Sequence, residues 1–315
     1  MGAQLRLVRR RISTVQSIAK ITRAQELIAS SRIVRAQQQM RAAEPYSREL
    51  TRAVEAVISR SANITHPFTE EPKNPTRAAV LILTSDQGFA GAYNANVLRE
   101  SARLRQLLRD RGIEPVLYVA GRKGISWHRF RELDLAGSWS GFSAAPRYRD
   151  AQVISDTLLE AFNAGQSGDG QSGDGQSDTN EGGVDEIHLV STQFVSMLTQ
   201  RPAVRRLLPL EIEETTEESP SGPLPQYEFE PSPPEVLDAL MPQYVASRIY
   251  YAMLEAAAAE LASRRRAMKA ATDNAGDLIE QLTREANNAR QAEITQEISE
   301  IVGGANALAG ASANE

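Results

Sequence analysis

Apolar residues recur at Leu5, Val8, Ile12, Val15 and Ala19. The 3-4-3-4 spacing puts them on one stripe of an α-helix. Leu27, Ile28 and Val34 carry the stripe on less regularly. The pattern predicts a first helical segment over 1–62, kinked or locally broken at Pro45, which lacks an amide donor and crowds the preceding turn. Near the other end, Leu254, Ala258, Leu261, Met268, Ala271, Ala275, Leu278, Leu282, Ala286 and Ala289 form a second heptad-like stripe. It predicts a helix over 234–308, bent near Pro242 and frayed at Gly303 and Gly304. Two such helices cover each other's seams if the chain folds back on itself as an antiparallel coiled coil. About 75 helical residues span roughly 110 Å, more than a compact domain of this size needs.

Between the helices the period changes. AVLILT at 79–84 is a short apolar run, hence a buried strand. Residues 92–111 are helical by period, with Gly112 where a C-cap glycine belongs. A second strand is expected at 115–120, then GRKG at 121–124 and a short helix. Further expectations are a weak strand near 133–139, a helix at 148–164, a strand at 186–192 and another at 204–212. The alternation implies a doubly wound, Rossmann-like α/β domain over 76–230, its strands parallel. Tyr227 to Phe229 is a candidate edge pairing.

Residues 165–183 repeat GQSGD without an apolar anchor. Such a segment cannot repay its ordering entropy and reads as a disordered insertion into a complete fold.

Composition narrows the function. No apolar run approaches the ~20 residues that span a bilayer, and the first residues lack a signal-peptide core. The expected location is therefore cytoplasmic, with any membrane link made through a partner. Cysteine is absent, which excludes thiol nucleophiles, disulfides and Cys–metal sites. The net charge of −5 hides an asymmetry: residues 1–60 hold twelve Lys/Arg against four Asp/Glu, whereas 210–231 hold seven Glu and no base. Either each is a solvated face, or each meets a partner of opposite charge.

Catalytic chemistry is hard to find. GFAG at 88–91 is not G-x-G-x-x-G, and GRKG lacks the P-loop spacing. Both read as tight strand–helix turns. His66, His128 and His188 are far apart and without metal-ligand spacing, and no serine sits in G-x-S-x-G. No catalytic, cofactor-binding or metal-binding residue is therefore assigned. A nucleotide-binding α/β enzyme with helical arms stays a weaker alternative. So does a coiled-coil nucleic-acid-binding protein, although residues 1–60 carry one aromatic, Tyr46, and hence no stacking platform.

Four segments carry a resemblance: KITRAQELIASSR at 20–32, SDQGFAGAYN at 85–94, MKAATDNA at 268–275 and ARQAEITQEISEIV at 289–302. In this order they resemble the gamma subunits of F-type rotary ATP synthases, over nearly the whole chain. The resemblance implies a non-catalytic central rotor, one copy per complex. Its terminal helices form a shaft inside an alternating ring of alpha and catalytic beta subunits. Its α/β foot rests on the c-ring beside the epsilon subunit. The complex lies peripherally on the cytoplasmic face of the cell membrane and uses proton flow to drive ATP synthesis. By the same resemblance Lys20, Arg23, Gln25 and Arg32 face acidic loops of beta, and Arg290, Gln291 and Thr295 engage a catch loop on beta. Tyr227, Phe229 and Glu230, within YEFEP at 227–231, face the c-ring and epsilon.

The chain departs from the pattern at several points. Gln25 stands where many members have Met, Gln87 and Ala90 where Arg and Cys are usual, and Ser232 where an acid is usual. The cysteine pair of photosynthetic thiol switches is absent. The 165–183 insertion resembles an extra loop of actinobacterial members. It either restrains wasteful hydrolysis by reaching the c-ring or a stator element, or is a passive linker.

Overall fold

The computed structural model describes residues 2–60, 66–72, 74–166, 183–210, 230 and 232–312. The repeat-bearing insertion and the acidic stretch with Tyr227 and Phe229 fall almost wholly outside them. Ten elements follow in order: α1 (Gly2–Arg60), β1 (Arg77–Leu83), α2 (Tyr93–Asp110), β2 (Glu114–Ala120), α3 (Arg122–Phe130), β3 (Gly137–Trp139), α4 (Tyr148–Gln166), β4 (Glu186–Phe194), β5 (Gln200–Leu208) and α5 (Pro233–Ser312). The chain divides into two compact units. One is Ser30–Arg264; the other joins Met1–Ala29 with Arg265–Glu315.

In the larger unit a five-stranded sheet has the order β3-β2-β1-β4-β5. β1 pairs in parallel with β2 and β4, and β2 with β3. β5 runs antiparallel to β4, contrary to the expected parallel layers. The physical reason is the short connection over 195–199, which can turn the chain back but cannot make a parallel crossover. β5 also begins earlier than the apolar run at 204–212 suggests.

β1 explains why its sequence is continuously apolar. Ala79, Leu81 and Leu83 face one core, and Ala78, Val80 and Ile82 the other, all at 0–3 % exposure. A central parallel strand is covered on both faces and so cannot alternate with polar residues. Val97, Leu104 and Leu108 of α2 and Ile125 of α3 cover the second face. The first is covered by Ile154, Leu158 and Phe162 of α4, by Val54 and Val57 of α1, and by Leu237, Met241, Val245 and Ile249 of α5. Phe162 is fully buried and stacks on Phe68 with ring centroids 5.6 Å apart. Phe162→Ala should cost about 3–5 kcal/mol in urea unfolding. A loss below about 1 kcal/mol would mean the site collapses around the gap.

Prolines do not stop the long helices: Pro45 lies inside α1 and Pro242 inside α5. Nor do Gly303 and Gly304, since α5 runs on to Ser312. At the two prolines the buried neighbours Ser47 and Leu50, and Met241 and Val245, outweigh local propensity. Gly303 and Gly304 are exposed with nothing close by.

Burial along α1 corrects the sequence reading. Leu27, Ile28 and Val34 are 59 %, 46 % and 54 % exposed. The covered positions of the smaller unit are Leu5, Val8, Ile12, Val15, Ala19, Thr22, Glu26 and Ala29, all buried or half-buried at strict 3-4 spacing. In the larger unit Ile33, Ala36, Met40, Ala43, Ser47, Leu50, Val54 and Val57 keep the same spacing. On α5 the covered line of the smaller unit is Met268, Thr272, Ala275, Ile279, Leu282, Ala286 and Ala289, with Leu278 turned out.

Candidate partner-binding surfaces

The smaller unit carries six of the seven positions expected to meet beta; Arg32 belongs to the larger. Lys20, Arg23, Gln25, Arg32, Arg290, Gln291 and Thr295 are all exposed. They escape burial because the 3-4 spacing that covers Ala19, Thr22, Ala286 and Ala289 turns these positions outward. Arg23 Nη1 lies 3.4 Å from Glu26 Oε2, an i,i+3 pair whose arginine is exposed and whose glutamate is half-buried on the covered line. Thr295 Oγ1 donates to the Gln291 carbonyl at 2.9 Å, which spends its proton within the helix and leaves its lone pairs free. Among the described residues, Lys20, Arg32 and Arg290 make no ion pair. Hydrophobic side chains share this outer surface: Ile18 and Ile21 on α1, and Ile294, Ile298, Ile301 and Val302 on α5, are 45–71 % exposed. Glu230 is exposed. Tyr227 and Phe229 lie outside the described residues.

Inside the smaller unit, Thr22 Oγ1 and Thr272 Oγ1 are 2.8 Å apart. Each hydroxyl also lies beside a carbonyl of its own helix, Ala19 O at 3.1 Å and Met268 O at 2.9 Å. This links α1 to α5 between the two segments that carry the family resemblance, and periodicity gave no sign of it.

The larger unit answers whether a cofactor crevice exists. In open α/β sheets that crevice lies outside the carboxyl ends of the strands, where the order reverses. Here the reversal falls between β1 and β4. Ala90 and Tyr93 after β1, Phe194 at the end of β4 and Ala259 of α5 form an apolar cluster there. Tyr93 Oη donates to the Ala256 carbonyl at 3.3 Å, and burial pushes its phenol far above the usual range. One turn on, Arg264 Nη2 reaches Glu260 Oε1 at 2.7 Å and the carbonyls of Gln87 and Gly88 at 3.3 Å. The side chains of this ion pair are 6 % and 1 % exposed. Burial raises the Glu260 carboxyl above its ordinary range, against the pull of Arg264. α5 thus fills the ground a cofactor would need.

GRKG proves equally occupied. The amides opening α3 are all taken: Arg122 N by Asp86 Oδ1 at 3.0 Å, Lys123 N by Ser85 O at 3.0 Å and Gly124 N by Thr84 Oγ1 at 3.0 Å. Gly121 has φ +107°, and a Cβ there would lie 2.2 Å from Thr84 O, so only glycine fits. Asp86 Oδ2 also accepts from Gly141 N and Ser143 N, at 2.8 and 2.9 Å. One carboxylate therefore ties together the loops after β1, β2 and β3. Asp86, Glu260 and Arg264 are the residues that sequence reasoning missed as a group; an i,i+4 Glu–Arg pair is ordinarily a surface feature and gave no warning.

Among the described residues no helix is long and apolar enough to cross a membrane, and no group of three or more acidic or histidine side chains could hold a metal ion.

Comparison with known proteins shows the family. A family model described as ATP synthase matches residues 4–308. The ATP synthase gamma chain of Acidothermus cellulolyticus is 59 % identical over 308 residues, 98 % of each chain. That of Thermobifida fusca is 57 % identical over 316 residues, 99 % of each. Among solved structures, a chain of the Euglena gracilis mitochondrial ATP synthase assembly of OSCP, F1 and c-ring superposes with a TM-score of 0.62. It is 15 % identical, over 98 % of this chain and 95 % of that one, and so speaks to the fold alone. These comparisons give the nucleic-acid alternative no support. The chain belongs to the ATP synthase gamma chain family.

Proposed function

We propose that the chain is the central rotor of a proton-driven ATP synthase. Its terminal segments, 1–62 and 234–308, pair as an antiparallel coiled coil that turns inside an alternating ring of alpha and beta subunits. The domain over 76–230 is the foot, seated on the c-ring beside epsilon. Rotation of the c-ring turns the shaft, whose uneven surface drives each beta subunit in turn through its binding states. The chain contributes no catalytic group. It acts at the cytoplasmic face of the cell membrane, held there by its partners and without inserting into the bilayer.

The observation that carries this reading is the spacing of covered positions on both long helices, together with family membership across 4–308. Strict 3-4 burial is the mark of helices built to pack lengthwise. Exposed apolar residues beside basic ones on the outer face suit a sliding bearing. Lys20, Arg23, Gln25 and Arg32 meet acidic loops of beta through contacts worth ~0–1 kcal/mol each, weak enough to break at every turn. Arg290, Gln291 and Thr295 hold one angular dwell through a bidentate arginine contact. Glu230, with Tyr227 and Phe229, faces the c-ring and epsilon.

Affinity purification tests the assembly. If the ring has three alpha and three beta subunits around one shaft, a tagged chain solubilised from membranes should bring alpha and beta, each in about threefold excess over it. Recovery of the chain alone, or with nucleic acid in a salt-sensitive complex, would contradict the proposal.

A further inference from the structure

α2 and α3 pack through Leu104, Leu108 and Ile125. Two buried bases lie at their junction, Arg105 and His128, with the exposed Arg109 and Arg131 nearby. Among the described residues no acid acts on either buried base. Arg105 is 8 % exposed, and its Nε has no hydrogen-bond partner among the described residues. His128 is fully buried, with Nδ1 2.8 Å from the Gly124 carbonyl oxygen. A carbonyl can only accept, so Nδ1 carries the proton of the neutral ring. Nε2 is then a bare lone pair, and it too lacks a partner. The neighbouring charges acting on His128 are Arg105 and Arg131, and the one acting on Arg105 is Arg109. Burial first, and these like charges after it, push the pKa of both groups down. Arg131 is held in place, its guanidinium 3.9 Å from the centre of the Trp127 ring. A covered cation and a covered imidazole, each short of a partner, are costly unless something else supplies one.

We propose that the α2–α3 junction binds hydrogen phosphate, held by Arg105 with Arg109 and Arg131 beside it and recognised through Nε2 of His128. The two buried groups fix the ligand class between them. Arg105 has only donors and needs an oxyanion. Nε2 of the neutral imidazole has only a lone pair and needs a donor. Hydrogen phosphate, free or as a monoester, offers both: charged oxygens for the guanidinium and a P–OH for the imidazole. Sulfate, a phosphodiester and an ionised carboxylate offer the charge without the proton. The junction therefore selects phosphate over sulfate, which plain charge attraction does not. Nε2 is shielded from solvent, so binding includes a side-chain rearrangement. Arg105, on a flexible stem and not wholly covered, is the group able to make it.

Calorimetric titration of the full chain near neutral pH tests this, with potassium phosphate and potassium sulfate at matched ionic strength. Phosphate should bind at least about tenfold tighter than sulfate, the worth of one charge-assisted hydrogen bond. The His128 Nε2 resonance should move with phosphate and not with sulfate. Arg105→Met should weaken phosphate at least about tenfold while helix content is retained. The sulfate comparison needs no variant and decides the matter even if Arg105→Met fails to fold. Equal affinities would mean an adventitious ion only. They would overturn the proposal, as would no phosphate heat up to roughly 50 mM.

Discussion

Arg264→Leu is expected to destabilise the larger unit by about 3–5 kcal/mol near pH 8, and by clearly less near pH 5. The substitution leaves Glu260 at 1 % exposure without its counter-charge, and a buried carboxylate alone is far costlier than a buried pair. Glu260 is already raised above its ordinary range by burial, and Arg264 is the main influence holding it down. A carboxyl raised in the folded state binds protons that the unfolded state does not. Its favourable contribution is full below the unfolded value, about 4.3, and is lost as pH climbs through the raised value. Removing Arg264 lifts that value further, so the deficit must widen from pH 5 to pH 8. Replacing both residues with Leu should restore most of the loss, since an apolar pair desolvates no charge. Urea unfolding followed by tryptophan fluorescence reads this directly, because Trp127 and Trp139 both lie in Ser30–Arg264. A cost below about 1 kcal/mol, or one independent of pH, would show that water reaches Glu260 and that α5 does not seal the end of the sheet.

The second large effect is on coupling. Arg290→Ala combined with Gln291→Ala should lower the ATP synthesis rate of membranes by about 10–100-fold at equal amounts of assembled complex. That is the expected loss of one or two hydrogen bonds to charged groups, at about 1.5–3 kcal/mol in all. Both side chains are exposed and Arg290 makes no ion pair among the described residues, so the helix itself should lose little. Single neutralisations of Lys20, Arg23 or Arg32 should each lower the rate by less than about fivefold, and less still at high salt. Synthesis unchanged in the Arg290/Gln291 double variant would remove the catch contact. An effect from Lys20→Ala as large as from the double variant would move the dwell to the other helix.

The sequence revealed the sheet more readily than the seam, for physical reasons. β1 is covered on both faces, so its apolar run has no other interpretation. The seam of α1 is read wrongly past Ala19 because its covered positions include Thr22, Glu26 and Ser47, while the more hydrophobic Leu27, Ile28 and Val34 stay outside. Hydrophobicity marks burial only where a helix meets nothing but its own chain. These outer residues fit a helix that meets others too. β5 was misplaced because Gln200 to Arg206 is half polar and pairs with β4 through its backbone. Glu260, Arg264 and Asp86 could not be found by motif, since each acquires its meaning from loops distant in sequence. The positions expected to face beta, by contrast, come from resemblance alone, and what the structure adds is their exposure.

The central claim is that this chain turns within a ring of other subunits. Because it has no cysteine, Ser126→Cys on the exposed side of α3 gives one labelling site. With the ring fixed to glass and a bead on that cysteine, added ATP should drive rotation in one direction with three equivalent pauses per turn, one for each beta subunit. A bead that stays still while ATP is hydrolysed, or that wanders in both directions, would contradict the account.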